Sequence, residues 1–268
     1  MYAARISNEV AGLPLALDQA GAFIEETPST PAEYLNFYQT EGARLRKLRG
    51  EVATEHPSVT VTFSLAFSRL AEKNPAAADL VRACAFLAPD AIPEEIFTQG
   101  GAELGEQLSQ LAGKPLDFAE AIRDAGRFAL LRRHAAGKSL DMHRQVQEVL
   151  KDEMDPQTRR LWAERVVQAL AGVFPSPEFR NWTQCERVLP HARAAGRYIA
   201  DLDLDSQPAG LLLNNTAYYL DDRAEYADAE PLYQRALAIR EKALGPDHPA
   251  TATINASYAA LLKKMGRD

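Results

Sequence analysis

Phe128-Ala129-Leu130-Leu131-Arg132-Arg133, then His134-Ala135-Ala136-Gly137, then Lys138-Ser139-Leu140-Asp141-Met142-His143 read as two short strands around a Gly-containing turn. Almost everywhere else apolar residues recur at helical spacing, with Pro and Gly punctuating the segments. The spacing predicts helices over 2–11, 13–26, 31–48, 58–73, 75–87, 103–111, 115–125, 143–153 and 156–173. Pro14, Pro31, Pro57, Pro75, Pro115 and Pro156 stand at or just before helix starts, where a missing N–H leaves nothing unpaired. Phe63, Phe67 and Phe86 fall on apolar helical faces and belong to the core. A lone two-stranded hairpin is marginal in water, so this one must lie against neighbouring helices. Three helices followed by a hairpin make a winged-helix domain, here about residues 57–154.

A second organisation lies nearer the C-terminus. Thr216-Ala217-Tyr218-Tyr219-Leu220 through Ala224-Glu225-Tyr226 lines up with Tyr258-Ala259-Ala260-Leu261-Leu262 through Gly266-Arg267-Asp268, an offset of 42 residues. A fixed period of that size is the signature of stacked repeats. Residues 227–239 supply the second helix of the unit, with Ala where two helices must approach closely, and Gly245-Pro246-Asp247-His248-Pro249 stops it. A single helical hairpin cannot bury its apolar face without a stacked neighbour. The sequence stops inside a repeat at Asp268, and the expectation is a piece of a longer array.

Composition narrows the function. Thirty Lys and Arg against 37 Asp and Glu give a net charge of −7, which argues against a nucleic-acid binder that must neutralise phosphates. Cys84 and Cys185 are far apart and outside any CxxC pair, so neither a disulfide framework nor a zinc site is indicated. No apolar run approaches the roughly 20 residues needed to span a bilayer, and no basic segment leads into an apolar stretch at the N-terminus. The expectation is a cytoplasmic protein without membrane attachment.

No set of nucleophile, base and oxyanion donors can be assembled from the five scattered His residues, and no catalytic or metal-ligating residue is assigned. The phosphate loop GxxxxGK[ST] is absent. Gly137-Lys138-Ser139 is the only GK[ST], but Arg132 stands where the first Gly should be and the segment falls in the hairpin turn. The chain is therefore not expected to hydrolyse nucleotide by itself.

Three segments carry a family resemblance. Gly12-Leu13-Pro14-Leu15-Ala16-Leu17-Asp18-Gln19-Ala20-Gly21-Ala22 resembles the GLPLAL segment that opens the helical subdomain of NB-ARC proteins, members of the STAND class of signalling NTPases. Leu140-Asp141-Met142-His143-Arg144-Gln145-Val146-Gln147 resembles their MHD-type sensor in the form common to bacterial members, with Arg144 in place of the Asp. Residues 210–268 are similar to kinesin-light-chain-type tetratricopeptide repeats. The order matches that of the family.

The resemblance implies a mainly α chain. It begins with a helical subdomain (1–56) and a winged-helix domain with one small β-hairpin (57–154). Connecting helices (155–208) include an exposed linker at 201–206, and a short tetratricopeptide solenoid follows (209–268). It further implies the regulatory and sensing half of a bacterial signalling NTPase whose P-loop domain lies elsewhere, with ADP or ATP and Mg²⁺ as cofactors of the intact protein and none in this fragment. The implied partners are that nucleotide-binding domain, a protein or peptide ligand on the repeats, and further copies on activation. Defence, stress signalling and transcriptional control all stay open by analogy.

Residue by residue, the resemblance sets Pro14 against the adenine and His143 at the β-phosphate of ADP. Both have plainer readings, Pro14 as a first-turn helix proline and His143 as a cap or packed side chain. Asn214 and Asn215 match paired asparagines that face a peptide groove, beside the alternative of a scaffold with no peptide ligand. Ala256 and Ser257 depart from that pattern in the next unit. Arg44, Arg46, Lys47 and Arg49 read as a solvated helix end or as a contact to the nucleotide domain. The alternative function is a winged-helix transcription regulator with a tetratricopeptide interaction domain. Against it, residues 115–125 are acidic, with Asp117, Glu120 and Asp124 beside Arg123.

Overall fold

The computed structural model describes residues 2–49 and 57–267. Helices α1 (Tyr2–Glu9), α2 (Pro14–Glu26) and α3 (Pro31–Arg49) come first. There follow α4 (Pro57–Lys73), α5 (Pro75–Cys84), β1 (Ile92–Pro93), α6 (Glu95–Thr98), α7 (Glu106–Ser109) and α8 (Pro115–Arg127). Strands β2 (Arg132–His134) and β3 (Ser139–Asp141) lead into α9 (Arg144–Glu153) and α10 (Pro156–Val173). The chain continues through α11 (Trp182–Asp201), α12 (Gln207–Asp222), α13 (Tyr226–Leu244) and α14 (Pro249–Lys264). The architecture is mainly α, with one small sheet and a terminal stack of antiparallel helices.

Local chemistry explains the starts. Proline occupies the first turn of α2, α5, α8, α10 and α14. The Asn74 side chain accepts from Ala77 N–H, Asp155 from Gln157 and Thr158 N–H, and Ser206 from Ala209 N–H, each satisfying donors that a helix start leaves open. Phe63 and Phe86 are fully buried in one core that runs from Ile6 to Leu261. Phe67 is only half-buried, stacked on Phe63, with the Arg82 guanidinium 4.9 Å from its ring centre.

Four expectations change. The sheet has three strands in the order β1-β3-β2, all antiparallel, with Leu140 opposite both Ile92 and Arg133. Two residues with a proline, Ile92–Pro93, are too short to show as a strand in sequence, and Pro93 sits at an edge, where its missing N–H costs no ladder bond. Helix α8 runs to Arg127 and residues 128–131 form its C-terminal turn instead of a strand. Leu130 N–H returns to Ala125 C=O at 3.1 Å, and Ala129 takes φ 53°. Phe128, Leu130 and Leu131 are all buried, a pattern no half-exposed strand would give.

The helix expected over 103–111 is instead a 3-10 turn (Gly101–Leu104) and the short α7, broken at Gly105 with φ 96°. A Cβ there would meet only the movable end of the Arg165 side chain, at 2.8 Å, so it is the left-handed backbone that calls for glycine. Finally, 201–206 is not a free linker. Leu204 is 2% exposed, Leu202 C=O accepts from Arg160 at 2.6 Å, and Asp205 pairs with Arg235 and Lys242. The 56/57 boundary and the side chains of Arg46, Lys47 and Arg49 lie outside the described residues. Arg44 pairs with Glu41 on its own helix.

The two repeat units turn alike. Glu225 N–H bonds Leu220 C=O at 2.8 Å after Ala224 at φ 60°, and Arg267 N–H bonds Leu262 C=O at 2.9 Å after Gly266 at φ 71°. Alanine carries a left-handed penalty that glycine does not. Ala224→Gly is therefore expected to raise stability, by up to about 1 kcal/mol, read as a higher urea midpoint at unchanged slope.

Candidate functional site: a cleft between the first helices and the sheet

A wide opening, about 1010 Å³, lies between α2 and the strand region. Helix α2 contributes Leu17, Asp18, Gly21 and Glu25, and the loop before β1 contributes Pro89 and Asp90. The far wall is Arg127 from the end of α8, Arg132 from β2, and the run Asp141 to Arg144. The two sequence segments thus meet around one cavity, large enough for a nucleotide-sized ligand. Helix α2 is held there by its packing on α4, where the buried Gln19 Oε1 accepts from Thr62 Oγ1 at 2.8 Å.

His143 is exposed and caps α9, its Nδ1 accepting from Gln145 N–H at 3.2 Å. Its Nε2 makes no hydrogen bond among the described residues, so the capping reading holds and leaves the other nitrogen toward solvent. Pro14 is exposed in the first turn of α2 and stands one turn before Leu17, outside the cleft lining. Helix α2 walls the cleft, but Pro14 is not among the residues that line it.

The cleft is polar, with charges of both signs. Arg132 and Arg144 are exposed and make no salt bridge among the described residues, though Arg132 acts on Asp141 through space, whereas Arg127 approaches Glu26 at 3.7 Å. Asp141 Oδ1 accepts from Ala91 N–H at 2.8 Å and Oδ2 pairs with His134 Nε2 at 2.6 Å. Burial pushes its carboxyl up, but the Ala91 N–H, His134 and Arg132 outweigh this and hold it below the usual carboxylate range.

The loop forming one edge is fixed from two sides. Pro89 C=O accepts from Met142 N–H at 2.8 Å, which ties it to β3. His191, fully buried on α11, accepts from Ala88 N–H at Nδ1 (3.2 Å) and donates from Nε2 to Ala91 C=O (3.3 Å). That pattern needs a neutral ring. Burial lowers its pKa to about 4, with Arg187 adding and the Ala91 carbonyl and Glu95 opposing. Arg187, one turn earlier, grips Glu95 at 2.8 and 3.2 Å and the Lys138 carbonyl at 2.8 Å. Helix α11 is thereby clamped to the hairpin turn and to the cleft loop. Lys138 itself is exposed at φ 45°, its carbonyl committed to Glu94 N–H and Arg187, so Gly137-Lys138-Ser139 is a strand connection.

Farther along, Asn214 and Asn215 are half-buried on α12, the Asn214 amide donating to Asn215 Oδ1 at 3.4 Å. Leu211 and Tyr218 flank them one turn away and are 38% and 42% exposed. On α8, Asp117 and Glu120 face solvent, but Asp124 is buried and accepts from Asn74 Nδ2 at 3.1 Å, so it contributes no surface charge. Among the described residues no group of His, Cys, Asp and Glu is arranged to hold a metal, and no helix is long and apolar enough to cross a membrane. Both cysteines are buried and unpaired, and burial raises both thiol pKa values.

Comparison with known proteins gives three matches. Residues 68–159, from α4 to the start of α10, match a domain of unknown function (DUF7779), and residues 211–250 match the tetratricopeptide repeat. A nucleotide-binding leucine-rich repeat (NLR)-like protein of Hyaloscypha variabilis is 26% identical over 263 residues, covering 93% of this chain and 25% of its own length. The chain thus spans about a quarter of the curated relative it matches. No solved structure matches. The chain carries a tetratricopeptide repeat and is similar to one part of an NLR-like protein.

Proposed function

We propose that this chain is the regulatory and sensor module of a STAND-type signalling NTPase, coupling nucleotide state to partner sensing by tetratricopeptide repeats, with no catalysis of its own. In this reading residues 1–56 are the helical subdomain, 57–154 the winged-helix domain, 155–208 the connecting helices and 209–268 the repeats. The observation that carries it is that α2 and the His143 segment, far apart in sequence, wall one nucleotide-sized cleft. A P-loop domain docked over that cleft would bring ADP or ATP with Mg²⁺, and the exposed Pro14, one turn before Leu17, would offer an apolar ring to the base. His143 would donate from Nε2 to a diphosphate oxygen while Nδ1 stays on the α9 cap. The repeats present Asn214 and Asn215 between Leu211 and Tyr218 as a surface for a protein or peptide ligand.

The mechanism is a population shift. Diphosphate held partly by His143 favours the closed arrangement of cleft and P-loop domain, and its loss favours an open one in which copies associate. Helix α11 supplies the mechanical link, because His191 and Arg187 join the repeat side to the loop and turn around the cleft. In a protein carrying this chain with its P-loop domain, His143→Ala is expected to speed ADP release about tenfold, the loss of one charge-assisted hydrogen bond. Bound-nucleotide content and ADP off-rate check it, and an unchanged off-rate removes His143 from the sensor role.

A further inference from the structure

A second groove, about 400 Å³, lies between α9 and α11 and shares Pro89 and Arg144 with the first. Its floor is apolar, from Leu87, Ala88, Pro89, Pro190 and Ala194. Its rim is cationic, with Arg144 and Lys151 from α9, Arg159 from α10 and Arg197 from α11, against only Glu148 and Asp201.

Arg144, Arg159 and Arg197 are exposed and pair with no carboxylate among the described residues, and Lys151 donates to Tyr198 OH at 3.0 Å. This cluster runs against a chain of net charge −7, in which many other arginines are matched to acids. The cations extend along two helical turns of α9, about 10 Å, which suits an extended segment of a few residues. A bare phosphate would leave the apolar floor uncovered.

We propose that this groove binds an acidic peptide segment of a partner protein, with carboxylates on the arginines and an apolar side chain on the Leu87–Pro190 floor. Because Pro89 and Arg144 belong to both openings, an occupant here bears directly on the wall of the first cleft. The proposal stands on its own residues and does not depend on nucleotide binding.

The test is fluorescence anisotropy of a fluorescein-labelled peptide of glutamate and leucine added to the 268-residue chain at near-physiological salt. The expected result is saturable binding that weakens about tenfold or more in the double variant Arg159→Gln, Arg197→Gln. It should be unchanged in Arg132→Gln, which alters the first cleft alone. The unfolding midpoint of the double variant should match the parent, since both side chains are exposed and make no salt bridge among the described residues. Equal affinity for the peptide with glutamine in place of glutamate would overturn the proposal. So would full displacement by equimolar tripolyphosphate, which would mark a small-anion site, or absence of saturable binding.

Discussion

Acidification from pH 7 to pH 4 is expected to remove about 3 kcal/mol of folding stability through His191 alone. Its ring is fully buried with its pKa lowered from 6.5 to about 4. Between those values the unfolded chain binds a proton that the folded chain does not. The contribution is therefore intact above pH 6.5, is lost progressively as pH falls toward 4, and levels off below that. Protonation would also point an Nδ1–H at the Ala88 N–H it now accepts from. Asp141, Asp155 and Asp205 are carboxylates held low, Asp205 chiefly by its hydrogen bond to Lys242. They lose their contributions in a lower window, at and below the usual carboxylate range. His191→Gln should flatten the slope between pH 6.5 and about 4.5, whatever it costs at pH 7. Urea unfolding across that range checks this, and equal slopes in parent and variant would contradict it.

Loss of the Gln147 side chain is expected to cost about 2–4 kcal/mol in Gln147→Ala. Gln147 is 4% exposed on α9, and its amide donates to Cys84 C=O at 2.9 Å and Leu87 C=O at 3.1 Å. Those carbonyls end α5 and begin the segment that leads to the cleft loop. Removing the amide strands Leu87 C=O in the core, while Cys84 C=O keeps the Leu87 N–H at 3.2 Å, and it leaves a void. Gln147→Met keeps most of the volume and should cost less, about 1–3 kcal/mol, from the Leu87 carbonyl left unpaired. Equal unfolding midpoints for parent and Gln147→Ala would mean that this pairing carries no net stability.

Much of the fold was legible because its signals are local. Prolines marked helix starts, and the 42-residue return of the Thr216 pattern at Tyr258 marked the repeat. Where reading failed, the deciding interaction was distant. Ile92–Pro93 becomes a strand only because Leu140 lies opposite it. Asp124 looked like surface charge from its neighbours, yet it is buried against Asn74.

The candidate site divides in the same way. The segments around Pro14 and His143 could be found from their own residues, although Pro14 itself does not line the cleft. The cationic wall of Arg132 and Arg144 has no spacing signature, since its members come from a strand and a helix start. His191 lies in a stretch with no motif, about 100 residues from the loop it holds. A lone histidine on a helix face gives no sign in sequence of which backbone it will bond.

The most direct measurement is calorimetric titration of ADP with Mg²⁺ into the 268-residue chain. If the chain supplies one wall of a nucleotide site that a P-loop domain completes, no saturable binding should be found below about 1 mM, a binding free energy weaker than about −4 kcal/mol. One-to-one binding at micromolar concentration would contradict this, because the cleft would then hold nucleotide without that domain.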